Sequence, residues 1–212
     1  MNKKGLCYVF KMKKIETACD RNQGPILEIL KEVISPENKN LFEIGSGTGQ
    51  HAIFMAPHFK DIFWTTSDRT ENHKIIKENL KGSNIQNIKG PFQFEIGKDD
   101  FPRVPYDLIF TANTFHIMSW KNCKTLMKTL GTRLREGSQV IIYGPFNYNG
   151  TFTSESNAAF DQMLKERNPE SGIRSFEDVN NNMLKNGFTL YKDYEMPANN
   201  RMLVYTRLNY MK

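Results

Sequence analysis

The chain lacks the features that mark membrane-spanning, secreted and metal-stabilised proteins. No apolar run approaches the roughly 18 residues that span a bilayer. Residues 6–10 are too few for the apolar core of a secretory signal, which needs about 7–15 residues. The three cysteines, Cys7, Cys19 and Cys123, form no Cys-x-x-Cys pair and predict neither a disulfide framework nor a metal site. We therefore expect a cytoplasmic protein with reduced thiols and no membrane partner.

Positive charge is also scarce over most of the chain. The net charge is +6, and five of these six charges come from Lys3, Lys4, Lys11, Lys13 and Lys14. We predict a flexible basic extension over residues 1–15, with Met12 as an alternative start. The remainder is nearly neutral, which is not the pattern of a protein that binds a phosphate backbone. A nucleic-acid partner is therefore not expected.

Internal repeats and low-complexity linkers are missing too, so we expect residues 16–212 to form one domain. What the sequence shows instead is an alternation of strand-like and helical runs. The predicted strands are residues 41–44, 62–66, 92–96, 106–110, 139–143, 187–195 and 202–207. The predicted helices are residues 25–34, 51–59, 70–80, 119–130, 156–166 and 175–185. The predicted N-caps are Asn22, Thr70, Ser119 and Ser175.

This alternation predicts a Rossmann-like α/β fold. Strands separated by helices are typical of a doubly wound sheet that is mostly parallel, with helices on both faces. About seven strands are expected. No helix separates the last two, so they should pair antiparallel as a C-terminal hairpin around residues 197–200. This arrangement is that of class I methyltransferases, and the site must support the analogy.

A glycine-rich turn follows the first predicted strand, with Gly45, Gly47 and Gly49. Glycines let the backbone turn sharply and approach a ligand closely. A dinucleotide fingerprint would have glycine or alanine where Gln50 stands. Glu43 would repel a pyrophosphate but could attract the ammonium group of S-adenosylmethionine, directly or through water. The pattern favours S-adenosylmethionine, with a dinucleotide site or a turn without a ligand as alternatives.

Further candidates stand at the ends of the next strands. Asp68 follows the second strand, where a carboxylate can bind both ribose hydroxyls; a capping aspartate is the alternative. Glu95 and Ile96 are predicted to end the third strand and to meet the adenine; a plain exposed carboxylate is the alternative for Glu95. Asn113 follows the fourth strand and could contact cofactor or substrate. His116 is our candidate for a general base, unless it only packs within its loop.

Other polar residues are candidates for the substrate side, with a structural role as the alternative for each. Arg21 could pair with an acidic substrate group or with the carboxylate of the cofactor. Tyr143 ends the fifth strand, and its side chain could either pack in the core or line the pocket. The whole set comprises Arg21, Asn22, Tyr143, Asn157, Arg174, Asn199 and Asn200.

Several of these segments together resemble the methyltransferase-like 26 family. The segments that carry the resemblance are residues 20–26, 43–50, 113–116, 143–146, 156–161, 172–174 and 196–200. The match runs in order from about residue 18 to residue 207. It implies a class I methyltransferase fold and S-adenosylmethionine as cofactor, and it implies little about the substrate. Glu95 departs from the shorter aspartate that this family often has there.

The sequence therefore predicts an S-adenosylmethionine-dependent methyltransferase that releases S-adenosylhomocysteine. The fourth strand lacks the Asn-Pro-Pro-Tyr or Asp-Pro-Pro-Tyr run that is common in enzymes that methylate nucleic acids and glutamine. Together with the nearly neutral body, this favours a small-molecule acceptor, with a protein substrate left open. The alternatives are a methyltransferase fold that serves as a non-catalytic interaction module, and an NAD-dependent oxidoreductase.

Overall fold

The computed structural model describes residues 18–208. The predicted basic extension over residues 1–15 therefore lies outside the described residues, as do Cys7 and Met12. None of the helices within residues 18–208 combines the length and the apolar character needed to cross a membrane.

Nine strands and six α-helices alternate along the described part of the chain. The strands are β1 Asn40–Ile44, β2 Phe63–Asp68, β3 Ile88–Gln93, β4 Leu108–Ala112, β5 Gln139–Gly144, β6 Phe146–Asn147, β7 Arg174–Ser175, β8 Phe188–Met196 and β9 Asn200–Arg207. The helices are α1 Ala18–Val33, α2 Gln50–Met55, α3 Thr70–Ser83, α4 Trp120–Arg133, α5 Glu155–Arg167 and α6 Phe176–Lys185. A short 3₁₀ turn, Ala56–His58, extends α2.

Seven strands form one sheet in the order β3-β2-β1-β4-β5-β9-β8. The first five are parallel, whereas β9 pairs antiparallel with β5 and β8 pairs antiparallel with β9. The predicted Rossmann-like sheet with a C-terminal hairpin is confirmed. The strand order reverses between β1 and β4, and ligands of open α/β sheets bind at such a switch point, outside the carboxyl ends of the strands.

Two apolar cores cover the two faces of this sheet. On one face, α1 and α2 bury residues such as Ile26, Leu30 and Met55 against the central strands. On the other, α4 and α6 pack on a cluster that contains Phe42 and Phe188. The central strands are buried on both sides, which explains their continuous apolar runs in the sequence.

The first helix begins earlier than predicted. It starts at Ala18 and contains Pro25, so Asn22 lies within the helix and is not its N-cap. Proline is typical of a first helical turn, and this preference misplaced the boundary. Thr70 is also not a cap, because Arg69 occupies that position and the Thr70 hydroxyl donates to Gln93.

Two other caps are confirmed. The hydroxyl of Ser119 accepts a hydrogen bond from the backbone N–H of Asn122. That of Ser175 accepts one from Asp178, as the capping-box pattern predicted.

The third strand is also displaced from its predicted position. It covers Ile88–Gln93, so Pro91 lies inside it and Glu95 and Ile96 follow it. Proline is tolerated here because β3 is an edge strand and its pairing with β2 is irregular at this point. The prediction that Glu95 and Ile96 end the strand is therefore wrong by three residues.

Candidate active site

The glycine-rich turn between β1 and α2 has the backbone that its sequence predicted. Gly45, Gly47 and Gly49 have φ angles of 72°, 60° and 78°, in the left-handed region that favours glycine. The N–H groups of Gly45 and Ser46 donate to the carbonyl oxygen of Ser67, at 3.0 and 2.9 Å, so the turn is fixed to the end of β2. A side chain at Gly45 would collide with the Cγ2 methyl of Thr114.

Asp68 ends β2 and is held in one orientation by three donors. Its Oδ2 atom accepts a hydrogen bond from the N–H of Gly47 at 2.7 Å. Its Oδ1 atom accepts bonds from the N–H of Arg69 at 2.8 Å and from the Nδ2 of Asn72 at 2.9 Å. The carboxylate therefore links the glycine turn to the start of α3.

Glu43 lies behind the glycine turn and is only 1% exposed. Its Oε2 atom accepts a hydrogen bond from the indole nitrogen of Trp64 at 2.9 Å. Burial raises the pKa of Glu43 to about 7, even though Trp64 and Ser46 donate hydrogen bonds that oppose the rise. Its carboxyl group supports the turn from inside the sheet.

This buried carboxyl should leave a signature in the pH dependence of stability. The pKa of Glu43 is about 7 in the folded protein, against about 4.3 for an unperturbed glutamate. Between these values the folded state binds more protons than the unfolded state. Glu43 therefore makes the protein less stable as the pH rises, by up to about 1.4 kcal/mol per pH unit.

We expect Glu43→Gln to remove this contribution. Urea unfolding at pH 5, 6, 7 and 8 should show the free energy of unfolding of the wild type falling relative to the variant across that range. Glu71→Gln, at an exposed position on α3, is the control and should run parallel to the wild type. If the free energy of unfolding of Glu43→Gln ran parallel to that of the wild type from pH 5 to 8, the raised pKa of Glu43 would be contradicted.

A first cavity of about 500 Å³ opens at the carboxyl ends of β1, β2 and β4. Of the predicted cofactor residues, Gly45, Asp68, Glu95, Ile96 and Asn113 line it. Glu43, Gly47 and Gly49 do not line it but build the turn beside it. The other lining residues, which the sequence did not predict to line a ligand site, include Arg69, Asn72, Phe94, Thr114, Ile117, Met118, Ser119, Asn122, Asn168 and Glu170.

The first cavity is acidic. Asp68, Glu95 and Glu170 contribute three carboxylates to its lining, and Arg69 contributes one guanidinium. One of these carboxylates, Glu95, also forms an exposed ion pair with Lys98 at 2.8 Å. This balance favours a cationic ligand over one that carries a pyrophosphate.

Arg174 holds the far wall of the first cavity in place. Its guanidinium donates to the carbonyl oxygens of Phe115 at 3.1 Å and of Glu170 at 2.7 Å, and also to that of Met118. Its side chain does not line either of the two cavities described here. Arg174, predicted for the substrate side, therefore joins the loop after β4 to the segment before β7.

A second cavity of about 290 Å³ lies beside the first, and Asn113 lines both. Asn113 has a φ of 58°, and its backbone N–H donates to the carbonyl oxygen of Tyr143 at 2.9 Å. The second cavity gathers most of the predicted substrate-side residues. Its lining is Arg21, Asn22, Asn113, Tyr143, Pro145, Asn157, Phe160, Pro197, Ala198 and Asn200.

Three buried side chains form a hydrogen-bonded chain that ends at the second cavity. The Nε2 of His51 lies 2.9 Å from the Oδ1 of Asn22, so this nitrogen carries a hydrogen and donates. Burial lowers the pKa of His51 to about 4 and keeps its ring neutral. The amide of Asn22 in turn hydrogen-bonds the hydroxyl of Tyr143, whose pKa burial raises.

His116 and Asn199 are not brought into the lining of either cavity. The ring of His116 is 5% exposed, and it packs edge-on against Phe160 with ring centroids 5.3 Å apart. Burial, with the nearby Arg174, lowers its pKa to about 4. Asn199 is exposed in the β8–β9 turn, where its carbonyl oxygen accepts a hydrogen bond from Asn157 at 3.1 Å.

Comparison with known proteins places this chain among methyltransferase folds. A family model described as "Protein of unknown function (DUF938)" matches residues 13–207. The S-adenosylmethionine-dependent methyltransferase SibL, in its apo form, is 17% identical over 90% of this chain and 56% of its own, with a TM-score of 0.76. An O-methyltransferase family 2 protein from Planctomyces limnophilus, in complex with apigenin, is 15% identical over 90% of this chain and 57% of its own, with a TM-score of 0.78.

A structure of PigF with SAH is 14% identical over 87% of this chain and 61% of its own, with a TM-score of 0.73. This chain thus spans less than two thirds of the length of these proteins. Identities this low show the fold alone, which is the Rossmann-like fold of methyltransferases. The closer resemblance to the methyltransferase-like 26 family stays a prediction.

Proposed function

The chain belongs to the family described as DUF938, and we propose that it is an S-adenosylmethionine-dependent methyltransferase that methylates a small-molecule acceptor and releases S-adenosylhomocysteine. One observation carries the proposal. A cavity bounded by the glycine turn and Asp68 adjoins a second, smaller cavity through Asn113, at the switch point of the sheet. Two adjoining cavities suit the transfer of a group between two bound molecules.

The residues around the first cavity fit S-adenosylmethionine. Its sulfonium and ammonium groups are cationic, and the lining carries more carboxylates than guanidinium groups. Asp68 would bind the ribose hydroxyls, Glu95 and Ile96 the adenine, and the turn from Gly45 the methionyl part. Bound there, S-adenosylmethionine supplies a methyl carbon to which a nucleophile bonds while the carbon–sulfur bond breaks and its electron pair stays on sulfur.

The task of the protein is then to position the acceptor and exclude water. The second cavity, at about 290 Å³, is near the lower end of the range for small-molecule sites. Asn113 stands where the two ligands would meet. His116 would act as a base only if Phe160 moved aside, because its ring is buried against Phe160.

The two alternatives fit these residues less well. The pyrophosphate of NAD would face Asp68, Glu95 and Glu170, and like charges close together repel. An interaction module without catalysis gives no role to the second cavity.

Calorimetric titration of the purified full chain with S-adenosylmethionine, S-adenosylhomocysteine and NAD tests the proposal. We expect both adenosyl ligands to bind and NAD not to bind. S-adenosylhomocysteine should then accumulate when the methyl donor is mixed with a panel of small aromatic acids and phenols. A well-folded protein that binds neither adenosyl ligand would overturn the proposal, and one that binds NAD in preference would support an oxidoreductase.

A further inference from the structure

The second cavity is lined by groups that can bind an anion but cannot remove a proton. Arg21 contributes the one charged side chain among the described residues that line it. Those residues include no carboxylate and no imidazole. A guanidinium does not lose its proton in proteins, and amide side chains do not titrate. Apart from Tyr143, the lining therefore contains no group that could serve as a general base.

Tyr143 is the next group to consider, because a phenolate could act as a base. Burial raises the pKa of Tyr143, so the hydroxyl stays protonated at neutral pH. The Oδ1 of Asn22 accepts from His51, so the Nδ2 of Asn22 donates to the hydroxyl oxygen of Tyr143. That arrangement leaves the hydroxyl hydrogen of Tyr143 to act as a donor at the cavity.

Part of the remaining lining is apolar or accepts hydrogen bonds. Phe160 and Pro145 present ring surfaces that suit a flat hydrocarbon body. The amide hydrogens of Asn157 are engaged with Thr153 at 2.8 Å and with Asn199 at 3.1 Å. Its oxygen is the atom left for a ligand, and a ring hydroxyl is a suitable partner for such an oxygen.

From this set of groups we infer that the acceptor is a small aromatic acid that is already an anion when it binds beside Arg21 and Tyr143. The inference rests on the proposed methyltransferase function and names the substrate class of the same site. An anionic oxygen bonds to the methyl carbon without giving up a proton, so no base is needed. Its negative charge and the positive charge of the sulfonium both disappear in the transfer, and the product is a neutral methyl ester.

Benzoate, benzamide and benzamidine test the inference. They have similar shapes, and they are anionic, neutral and cationic, respectively. The full chain is first saturated with S-adenosylhomocysteine, and each molecule is then titrated by calorimetry. We expect benzoate to bind at least about tenfold more tightly than benzamide, because hydrogen bonds to a charged group are stronger by roughly 1.4 kcal/mol. Cationic benzamidine should bind most weakly.

Two variants assign the preference to this cavity. Arg21→Gln and Tyr143→Phe should each reduce the ratio of benzoate to benzamide affinity by several fold. Arg133→Gln, which removes the same charge at an exposed position on α4, should leave the ratio unchanged.

The outcomes separate this inference from the function on which it rests. Equal affinities, a preference for benzamidine, or no binding of any of the three would overturn the anionic acceptor. If S-adenosylhomocysteine still bound in that case, the proposed function would stand. Failure of S-adenosylhomocysteine to bind would overturn both.

Discussion

Substitution of Gly45 by alanine is expected to lower the free energy of unfolding by about 2–5 kcal/mol. An alanine in the left-handed region costs roughly 1–2 kcal/mol, and Gly45 has a φ of 72°. The added methyl group would also collide with Cγ2 of Thr114, and overpacking of this kind costs typically about 1–3 kcal/mol. Thr114 is not free to turn away, because its hydroxyl is hydrogen-bonded to that of Thr111.

Gly47 provides the matched control. Its φ of 60° carries a similar conformational cost, but a side chain there would meet no atom within 4 Å. Gly47→Ala should therefore lose only about 1–2 kcal/mol. Urea unfolding of both variants measures the difference, which isolates the contact with Thr114.

A double variant identifies that contact directly. Thr114→Ser removes the Cγ2 methyl and keeps the hydroxyl that pairs with Thr111. Gly45→Ala combined with Thr114→Ser should recover about 1–3 kcal/mol relative to the sum of the single effects. Additive effects, or equal losses for Gly45→Ala and Gly47→Ala, would show that the collision does not determine the stability of this turn.

The central part of the fold was predictable because its strands are buried on both faces. β1 and β5 appear in the sequence as short continuous apolar runs, and their predicted bounds agree with the structure to within a residue. β3 has the same parallel pairing but is an edge strand, and only two of its six residues are even half-buried. Its sequence therefore carries little hydrophobic signal, and the strand was placed several residues too late.

The same distinction applies to the candidate site. Asp68, Asn113 and Tyr143 follow or end parallel strands, and the geometry of such a sheet brings these positions to one edge. Glu170 reaches the first cavity from a segment between α5 and β7. That segment is held by long-range hydrogen bonds, such as that from the N–H of Gly172 to the carbonyl oxygen of His116 at 2.9 Å. No local pattern in the sequence encodes such a contact.

His116 shows a further limit of sequence patterns. Its position close after Asn113 suggested a base at the site, but adjacency along the chain does not fix the direction of a side chain. The ring of His116 packs edge-on against Phe160 and lies beside Gly144. His51 and Asn22, 29 residues apart in sequence, instead form a hydrogen bond beside the second cavity.

Asp68→Asn is expected to weaken the binding of S-adenosylhomocysteine by about 100-fold. A carboxylate that accepts from both ribose hydroxyls contributes two charge-assisted hydrogen bonds of about 1.5–3 kcal/mol each, and the loss of about 3 kcal/mol corresponds to that factor. Asparagine keeps the size of the side chain and one oxygen acceptor for the N–H of Gly47, but its Nδ2 then faces the N–H of Arg69 and the Nδ2 of Asn72. An unfolding curve checks that the variant remains folded.

Glu170→Gln distinguishes these hydrogen bonds from the general charge of the cavity. It removes one negative charge from the same lining, but its side chain is exposed to solvent, where water screens the charge. The affinity for S-adenosylhomocysteine should therefore fall less than about fivefold in this variant. Calorimetry on the two variants compares them directly. Equal losses would mean that Asp68 acts only through its charge, and no loss in Asp68→Asn would remove it from the cofactor site.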